Sequence, residues 1–158
     1  MQIQKTNAAR LLDAAGIGYE LVPYAWDESD LSAQHVARQL GEPIEQVFKT
    51  LVARGEKTGI NVFCIPVCCE LNLKKAAKAA GDKNMELVAV KELLGLTGYI
   101  RGGCSPVGMK KKYPTFFDET CVLWEEIAVS AGARGHQMIL PPEKLAELVS
   151  AKLVDLTE

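Results

Sequence analysis

The residues best suited to chemistry share one stretch, residues 97–115, which is rich in glycine and ends close to three lysines. Main-chain NH groups of glycine can approach a phosphate or a developing oxyanion without hindrance from a side chain, and nearby positive charge adds attraction. We therefore predict a binding or active site here, although a solvated turn before a charged strand has the same composition. The residues that define the stretch are Gly102, Gly103, Ser105, Pro106, Gly108, Lys110, Lys111 and Lys112.

Two familiar motifs do not fit this stretch. A P-loop requires a lysine directly after its second glycine, whereas Met109 follows Gly108. A nucleophile elbow requires G-x-S-x-G, whereas Pro106 and Val107 separate Ser105 from Gly108. A nucleotide triphosphatase is therefore disfavoured, and the proline after Ser105 favours a turn-forming serine over a nucleophile.

Charge is unevenly distributed along the chain, although the formal net charge is only −2. Residues 49–112 carry 12 basic and 5 acidic side chains, whereas residues 1–48 carry 3 and 7, and residues 113–158 carry 3 and 8. A concentrated basic zone in an acidic protein suits a polyanion contacted over a limited area, such as the end of an RNA. Long DNA and a membrane surface are weaker fits, and some of these lysines could simply solvate a helix.

Length and composition predict one domain, residues 1–158, without a membrane span or a secretory signal, and therefore a cytoplasmic protein. Hydrophobic residues make up 48% of the chain, which is enough for a substantial core. An odd number of cysteines without a C-x-x-C pair argues against a disulfide framework and against a metal site, so we expect no metal and no cofactor. The five cysteines are Cys64, Cys68, Cys69, Cys104 and Cys121.

Helix and strand patterns alternate without a regular βαβ rhythm. This predicts an α+β fold with a mixed, curved or barrel-like sheet and flanking helices. Predicted helices cover residues 7–15, 32–40, 73–80 and 142–149, the third of them capped by Asn72. Predicted strands cover residues 19–24, 47–54, 60–67, 115–118, 127–130 and 138–140, the second and third joined as a hairpin.

Lys49 is unusual because it interrupts an apolar strand. Burying an unpaired ammonium group is costly, so Lys49 must either face solvent or serve a pocket, and the pattern alone favours solvent. Thr50 would point to the opposite face of the same strand. The turn at residues 130–135 is either a second anion-binding loop or an ordinary hairpin turn.

Several motifs together resemble the YbaK family of aminoacyl-tRNA deacylases, which are relatives of the editing insertion domain of prolyl-tRNA synthetase. The match runs in order through nearly the whole chain and is closest to the freestanding branch that removes cysteine from mischarged tRNA for proline. The matching segments are residues 47–50, 71–80, 97–99, 102–108, 110–111 and 114–115, together with Ser130, Gly132, Arg134 and Gly135.

The resemblance implies hydrolysis of the ester that joins an amino acid to the terminal adenosine of tRNA. It implies that Lys49 is essential and holds the acceptor end, that the Gly102 backbone approaches the scissile carbonyl, and that Ser130 contacts the substrate. Gln137 stands where the family usually has an aspartate, which removes a negative charge from the pocket. The remaining implied contacts are Tyr24, Thr50, Gly103, Ser105, Arg134 and Gln137 with the substrate, and Lys110, Lys111 and Lys112 with tRNA.

The substrate itself suggests a mechanism. A cysteinyl ester carries a thiol that can attack its own carbonyl, so the protein needs only to hold the reactive conformer and stabilise the oxyanion. Three alternatives remain open: editing of alanine or serine through water or the 2′-hydroxyl, a thiol hydrolase that uses Cys104 with His136 as base, and a non-catalytic module that binds tRNA or a synthetase. Contacts with phosphates position a tRNA but do not distinguish one tRNA from another. A partner such as prolyl-tRNA synthetase could therefore supply tRNA specificity.

Overall fold

The structure is a computed structural model that describes residues 5–24 and 33–158. Within these residues the predicted elements occur close to their expected bounds, while residues 25–32, including the predicted helix start at Ser32, lie outside the description. The helices are α1 (Asn7–Ala14), α2 (Ala33–Leu40), α3 (Leu73–Ala80), α4 (Val90–Thr97) and α5 (Pro142–Leu148). The strands are β1 (Glu20–Pro23), β2 (Phe48–Gly55), β3 (Gly59–Pro66), β4 (Glu86–Leu87), β5 (Thr115–Asp118), β6 (Ile127–Ser130), β7 (His136–Leu140) and β8 (Lys152–Val154).

The predicted hairpin is confirmed as β2 and β3, which pair antiparallel with Lys49 opposite Ile65 and Gly55 opposite Gly59. Its turn is closed by Asp82, whose carboxylate accepts the main-chain NH groups of Lys57 and Thr58 at 3.1 Å and 2.8 Å. These bonds favour the ionised carboxylate and lower the pKa of Asp82 below its usual range. The turn fixes the register of the strand that carries Lys49.

The strands form two sheets, with orders β4-β2-β3-β5-β8 and β1-β7-β6. The larger sheet is mixed, because β5 runs parallel to both β3 and β8. A parallel bridge between Val47 and Ala128 connects the end of β2 to β6 in the smaller sheet. This arrangement confirms the predicted α+β class with a mixed sheet.

One core fills the space between the sheets, and a second lies on the outer face of the larger sheet. Phe48 and Phe117 pack in the first core with Met138 of the smaller sheet. Phe63 packs in the second core against Ala76 of α3, and its ring stacks on that of Phe116 with centroids 5.3 Å apart. β2 therefore lies between two packed layers, and successive side chains of this strand enter different surroundings.

The sequence analysis did not predict α4, β4 or β8. β4 has two residues and β8 has three, and much of their surface is exposed, so neither gives an alternating apolar pattern. α4 begins after Ala89, whose NH donates to the Glu92 carboxylate at 3.1 Å, and ends at Gly98 with φ +87°. Among the described residues, no helix has the length and apolar character needed to cross a bilayer.

Candidate active site

A cavity of about 760 Å³ lies along the outer edge of β2. At one end of this edge Val47 bridges Ala128, and at the other end the Val52 carbonyl accepts the Val88 NH at 3.1 Å. Between these two points no described strand pairs with the edge. The cavity therefore faces the edge of a strand, which explains why Lys49 and Thr50, whose side chains point to opposite faces, both line it.

Lys49 is a half-buried cation in the cavity wall. Within the described part of the chain, no residue forms a hydrogen bond or an ion pair with its ammonium group. A partly desolvated ammonium group without a partner is electrostatically unfavourable unless a ligand supplies negative charge or acceptors. Lys49 therefore lines a cavity, where the family resemblance places it, and does not extend from an open sheet face as the strand pattern alone favoured.

Ser130 and Gln137 form a polar part of the cavity wall on neighbouring strands of the smaller sheet. They are directly paired in the register of β6 and β7, and both line the cavity. The Ser130 hydroxyl accepts the Gly132 NH at 3.1 Å, which leaves its own hydrogen available for a ligand. Gln137 is only 6% exposed, and its Oε1 has no hydrogen-bond partner in the described ranges 5–24 and 33–158. Buried acceptors are normally paired, so this oxygen marks a place where a ligand donor fits.

The glycine-rich stretch reaches the cavity through Gly102, which is exposed and has φ +86°. Arg134 holds this stretch in place, because its Nε donates to the Arg101 carbonyl at 2.9 Å. Gly103 lies against the same turn, and a Cβ there would be 3.2 Å from the Arg134 nitrogen. Gly103 and Arg134 thus connect the glycine-rich stretch to the turn at residues 130–135. Neither residue lines the cavity.

Tyr99 packs between the two loops and fixes their separation. Its hydroxyl donates to the Val107 carbonyl, and its ring lies against Gly132. Burial raises the pKa of Tyr99 to about 12, so the hydroxyl stays protonated as a donor. A Cβ at Gly132, which has φ +97°, would lie 2.9 Å from Tyr99 Cε1.

We expect Gly132→Ala to lower the free energy of unfolding by about 3 kcal/mol, or about 9 °C in melting temperature, because left-handed strain adds to a steric clash. Thermal unfolding followed by circular dichroism measures this change. Gly59→Ala is the matched control, since Gly59 also has positive φ (+73°) but open space around its Cβ position. A loss no greater than that of the control would contradict the packing role of Tyr99.

Other predicted site residues lie outside the cavity lining. Ser105 is fully buried, and its Oγ accepts the Val107 NH at 3.2 Å, as expected for a turn-forming serine. Lys110, Lys111 and Lys112 are exposed, and the latter two line a separate cavity of about 240 Å³. The structure thus brings six of the predicted residues together in the main cavity: Tyr24, Lys49, Thr50, Gly102, Ser130 and Gln137.

Part of the cavity wall is apolar, and the sequence patterns did not predict it. It comes from β4 and α4, the elements that sequence patterns did not identify, and includes Leu87, Val88, Ala89, Val90 and Leu93. The continuous apolar run at residues 87–90 was the available signal. A site with one polar and one apolar wall suits a ligand that combines polar groups with a flat apolar ring.

The cysteine in the glycine-rich stretch is poorly suited to nucleophilic catalysis. Cys104 lines the cavity, but burial raises its pKa to about 12, so the reactive thiolate is scarce near neutral pH. His136, its proposed base, does not line the cavity. In the described residues, no group of three or more His, Cys, Asp or Glu side chains is placed to hold a metal ion.

Comparison with known proteins gives a consistent result. The profile of the aminoacyl-tRNA editing domain family matches residues 27–148. The chain is 47% identical over 154 residues to EbsC of Enterococcus faecalis, a proposed Cys-tRNA(Pro)/Cys-tRNA(Cys) deacylase, and the match covers 98% of this chain and 94% of EbsC.

Solved structures give the same picture. A candidate trans-editing enzyme for prolyl tRNA synthetase superposes with a TM-score of 0.84 at 28% identity, covering 98% of this chain and 99% of the other. A hypothetical protein with 23% identity has the same fold, with a TM-score of 0.85 over 94% of this chain and 97% of its own. These matches confirm the predicted fold, the resemblance and the deacylase class, and the chain belongs to the aminoacyl-tRNA editing domain family.

Proposed function

We propose that the cavity binds the aminoacylated 3′ end of tRNA and removes cysteine from mischarged Cys-tRNA(Pro). The observation that carries this proposal is the half-buried Lys49, whose ammonium group has no partner among the described residues, in a cavity large enough for an aminoacyl-adenosine. Its ammonium group would bind the acceptor end of tRNA, which is anionic and rich in hydrogen-bond acceptors. The name of the relative EbsC supports cysteine as the amino acid.

The proposed roles of the other cavity residues follow from their positions. The main chain of Gly102 approaches the scissile carbonyl and donates to the oxyanion, which one well-placed NH can stabilise by about 3 kcal/mol. Ser130 donates its free hydroxyl hydrogen to the substrate, and Tyr24 and Thr50 shape the pocket. The apolar wall of β4 and α4 receives the adenine ring.

The chemical step uses the thiol of the substrate. The cysteinyl sulfur, as thiolate, bonds to the carbonyl carbon, the ester C–O bond breaks, and the 3′ oxygen leaves with a proton as the tRNA alcohol. The resulting thiolactone then takes up water to give cysteine. Because the nucleophile is already in the substrate, the reaction does not require a Ser-His or Cys-His pair in the protein.

Residues outside the cavity serve tRNA binding. Lys110, Lys111 and Lys112 are exposed on the glycine-rich stretch and contact tRNA phosphates, while Arg134 and Gly103 keep the loops in place. Contacts with phosphates do not distinguish nucleotide sequences, so prolyl-tRNA synthetase is the proposed partner that restricts deacylation to tRNA(Pro). The proposed location of this reaction is the cytoplasm. Without that partner we expect similar rates on Cys-tRNA(Pro) and Cys-tRNA(Cys).

Deacylation of Cys-, Ala- and Pro-tRNA(Pro), measured side by side, tests the proposed substrate. We expect cysteine to be released at least about 100-fold faster than alanine or proline, because only the cysteinyl ester has an internal nucleophile. Faster release of alanine would replace the mechanism by attack of water or of the 2′-hydroxyl. Binding of tRNA without release of any amino acid would instead favour a non-catalytic module.

A further inference from the structure

The five cysteines of the chain divide into two groups by accessibility. Cys64, Cys104 and Cys121 are buried, and burial raises their pKa values to about 12, about 12 and about 11. Cys68 is exposed and Cys69 is partly exposed. Reaction of a thiol with a dissolved reagent needs both access and thiolate, so reactivity is confined to the second group.

Cys68 and Cys69 form a vicinal dithiol at the mouth of the candidate active site. Their sulfur atoms are 3.8 Å apart, and both residues line the cavity that contains Lys49. Burial and the neighbouring Cys68 thiol raise the pKa of Cys69, and the positive charge of Lys49 offsets part of this rise. Two adjacent thiols in one turn can be oxidised together, because no distant segment has to bring a second thiol to the first.

The turn that carries this dithiol is directly connected to the strand of Lys49. The Val67 NH donates to the Val47 carbonyl at 2.8 Å, two residues before Lys49. The Cys69 NH donates to the Pro66 carbonyl at 3.0 Å and closes the turn. A change in the turn therefore acts on the start of β2.

We propose that Cys68 and Cys69 are a thiol–disulfide exchange site for low-molecular-weight disulfides, and that its oxidation reversibly blocks the tRNA-binding cavity. The second part of this inference rests on the proposed function. The exchange chemistry at sulfur depends only on the geometry of the two thiols.

The exchange proceeds in two balanced steps. The Cys68 thiolate attacks a disulfide RS–SR, forming a mixed disulfide on Cys68 and releasing one RS⁻ group. The Cys69 thiolate then attacks the Cys68 sulfur, closing a ring disulfide and releasing the second RS⁻ group. The protein loses two electrons and two protons, and one RS–SR becomes two RSH. Cys68 attacks first because it is the more exposed.

Both products of this chemistry obstruct substrate binding. The mixed disulfide places the R group at the mouth of the cavity. The ring disulfide brings the sulfur atoms from 3.8 Å to bonding distance, about 2.05 Å, and so requires the turn at Cys69 to rearrange. Since that turn is bonded to Val47, the position of Lys49 changes with it.

Intact-mass spectrometry of the full chain treated with oxidised glutathione tests the exchange. We expect the wild type to lose two hydrogen atoms and to regain them with dithiothreitol. Cys69→Ser should instead stop at one added glutathionyl group, and Cys68→Ser should react more slowly. Iodoacetamide should label two thiols before oxidation and none afterwards. A glutathionyl adduct that persists in the wild type, or continued double labelling, would overturn the exchange site.

Binding of a tRNA acceptor-stem minihelix, measured by fluorescence anisotropy, tests the block. We expect the oxidised wild type to bind at least about tenfold more weakly than the reduced protein, and Cys69→Ala/Cys68→Ala to show no change with oxidant. Equal binding by both forms of the wild type would overturn the block. Failure of the proposed deacylase appears separately, as reduced protein that binds the minihelix without releasing cysteine.

Discussion

Lys49→Met is expected to reduce deacylation of Cys-tRNA(Pro) by about 10²-fold, because the acceptor end that this lysine holds would be misplaced relative to the reacting groups. Methionine keeps an unbranched, flexible side chain at this position of β2 and removes only the charge and the donors. Because the Lys49 ammonium makes no hydrogen bond or ion pair with described residues, no internal contact is lost. The melting temperature should therefore stay the same or rise slightly.

Single-turnover deacylation and thermal unfolding of the same preparations measure these two effects. Lys152→Met is the matched control, since Lys152 is an exposed lysine on β8 that does not line the cavity. We expect this control to retain the rate of the wild type. A Lys49→Met protein that deacylates normally would remove Lys49 from the mechanism, whereas a large drop in melting temperature would indicate a structural role.

Gln137→Met is expected to raise stability and lower activity together. The buried Gln137 Oε1 has no hydrogen-bond partner in the part of the chain that the structure describes, and an unsatisfied buried acceptor costs about 1–3 kcal/mol. Methionine has a similar shape without that acceptor, so we expect a gain of about 1 kcal/mol, or about 3 °C in melting temperature. Loss of the acceptor should weaken substrate binding, with KM rising about tenfold.

A glutamine that is already satisfied provides the control for this substitution. Gln46 Nε2 donates to the Glu126 carbonyl at 2.7 Å, so Gln46→Met should lower the melting temperature and leave KM unchanged. If Gln137→Met lowers both the melting temperature and the activity, Gln137 contributes to folding and is not an unsatisfied acceptor that awaits a ligand.

Much of the fold followed from local sequence signals. The Asn72 side chain accepts the NH groups of Lys74 and Lys75, as predicted for the cap of α3, and Gly81 ends that helix with φ +74°. The glycines at both ends of the β2–β3 turn likewise indicated a hairpin. Helix caps and tight turns are determined by residues that are close in sequence, so they can be predicted from one amino-acid sequence.

The surroundings of Lys49 could not be predicted from the residues around it. A lysine in a strand normally faces solvent, and the cavity exists only because β6 and β4 pair with the two ends of β2 and leave its middle free. Those pairings join Val47 with Ala128 and Val52 with Val88, positions that are distant in sequence. The family resemblance supplied what local patterns could not.

For Ser105, the local sequence pattern was more informative than the family resemblance. The proline after it predicted a turn, and the structure places its hydroxyl on the Val107 NH, away from the cavity. The resemblance assigned it to the substrate because it lies in a matching segment. For this residue local chemistry described the position better than the family pattern did.

In the proposed mechanism, the thiol of the substrate attacks its own ester inside the cavity that Lys49 lines. The most direct measurement compares single-turnover deacylation of Cys-tRNA(Pro) and Ser-tRNA(Pro) between pH 6 and pH 9, since the two esters differ by one atom. We expect the cysteinyl rate to rise about tenfold per pH unit and to level near pH 8.5, where the thiol ionises, while the seryl ester is cleaved at least about 100-fold more slowly. Equal rates for the two esters, with the same pH profile, would contradict attack by the substrate thiol.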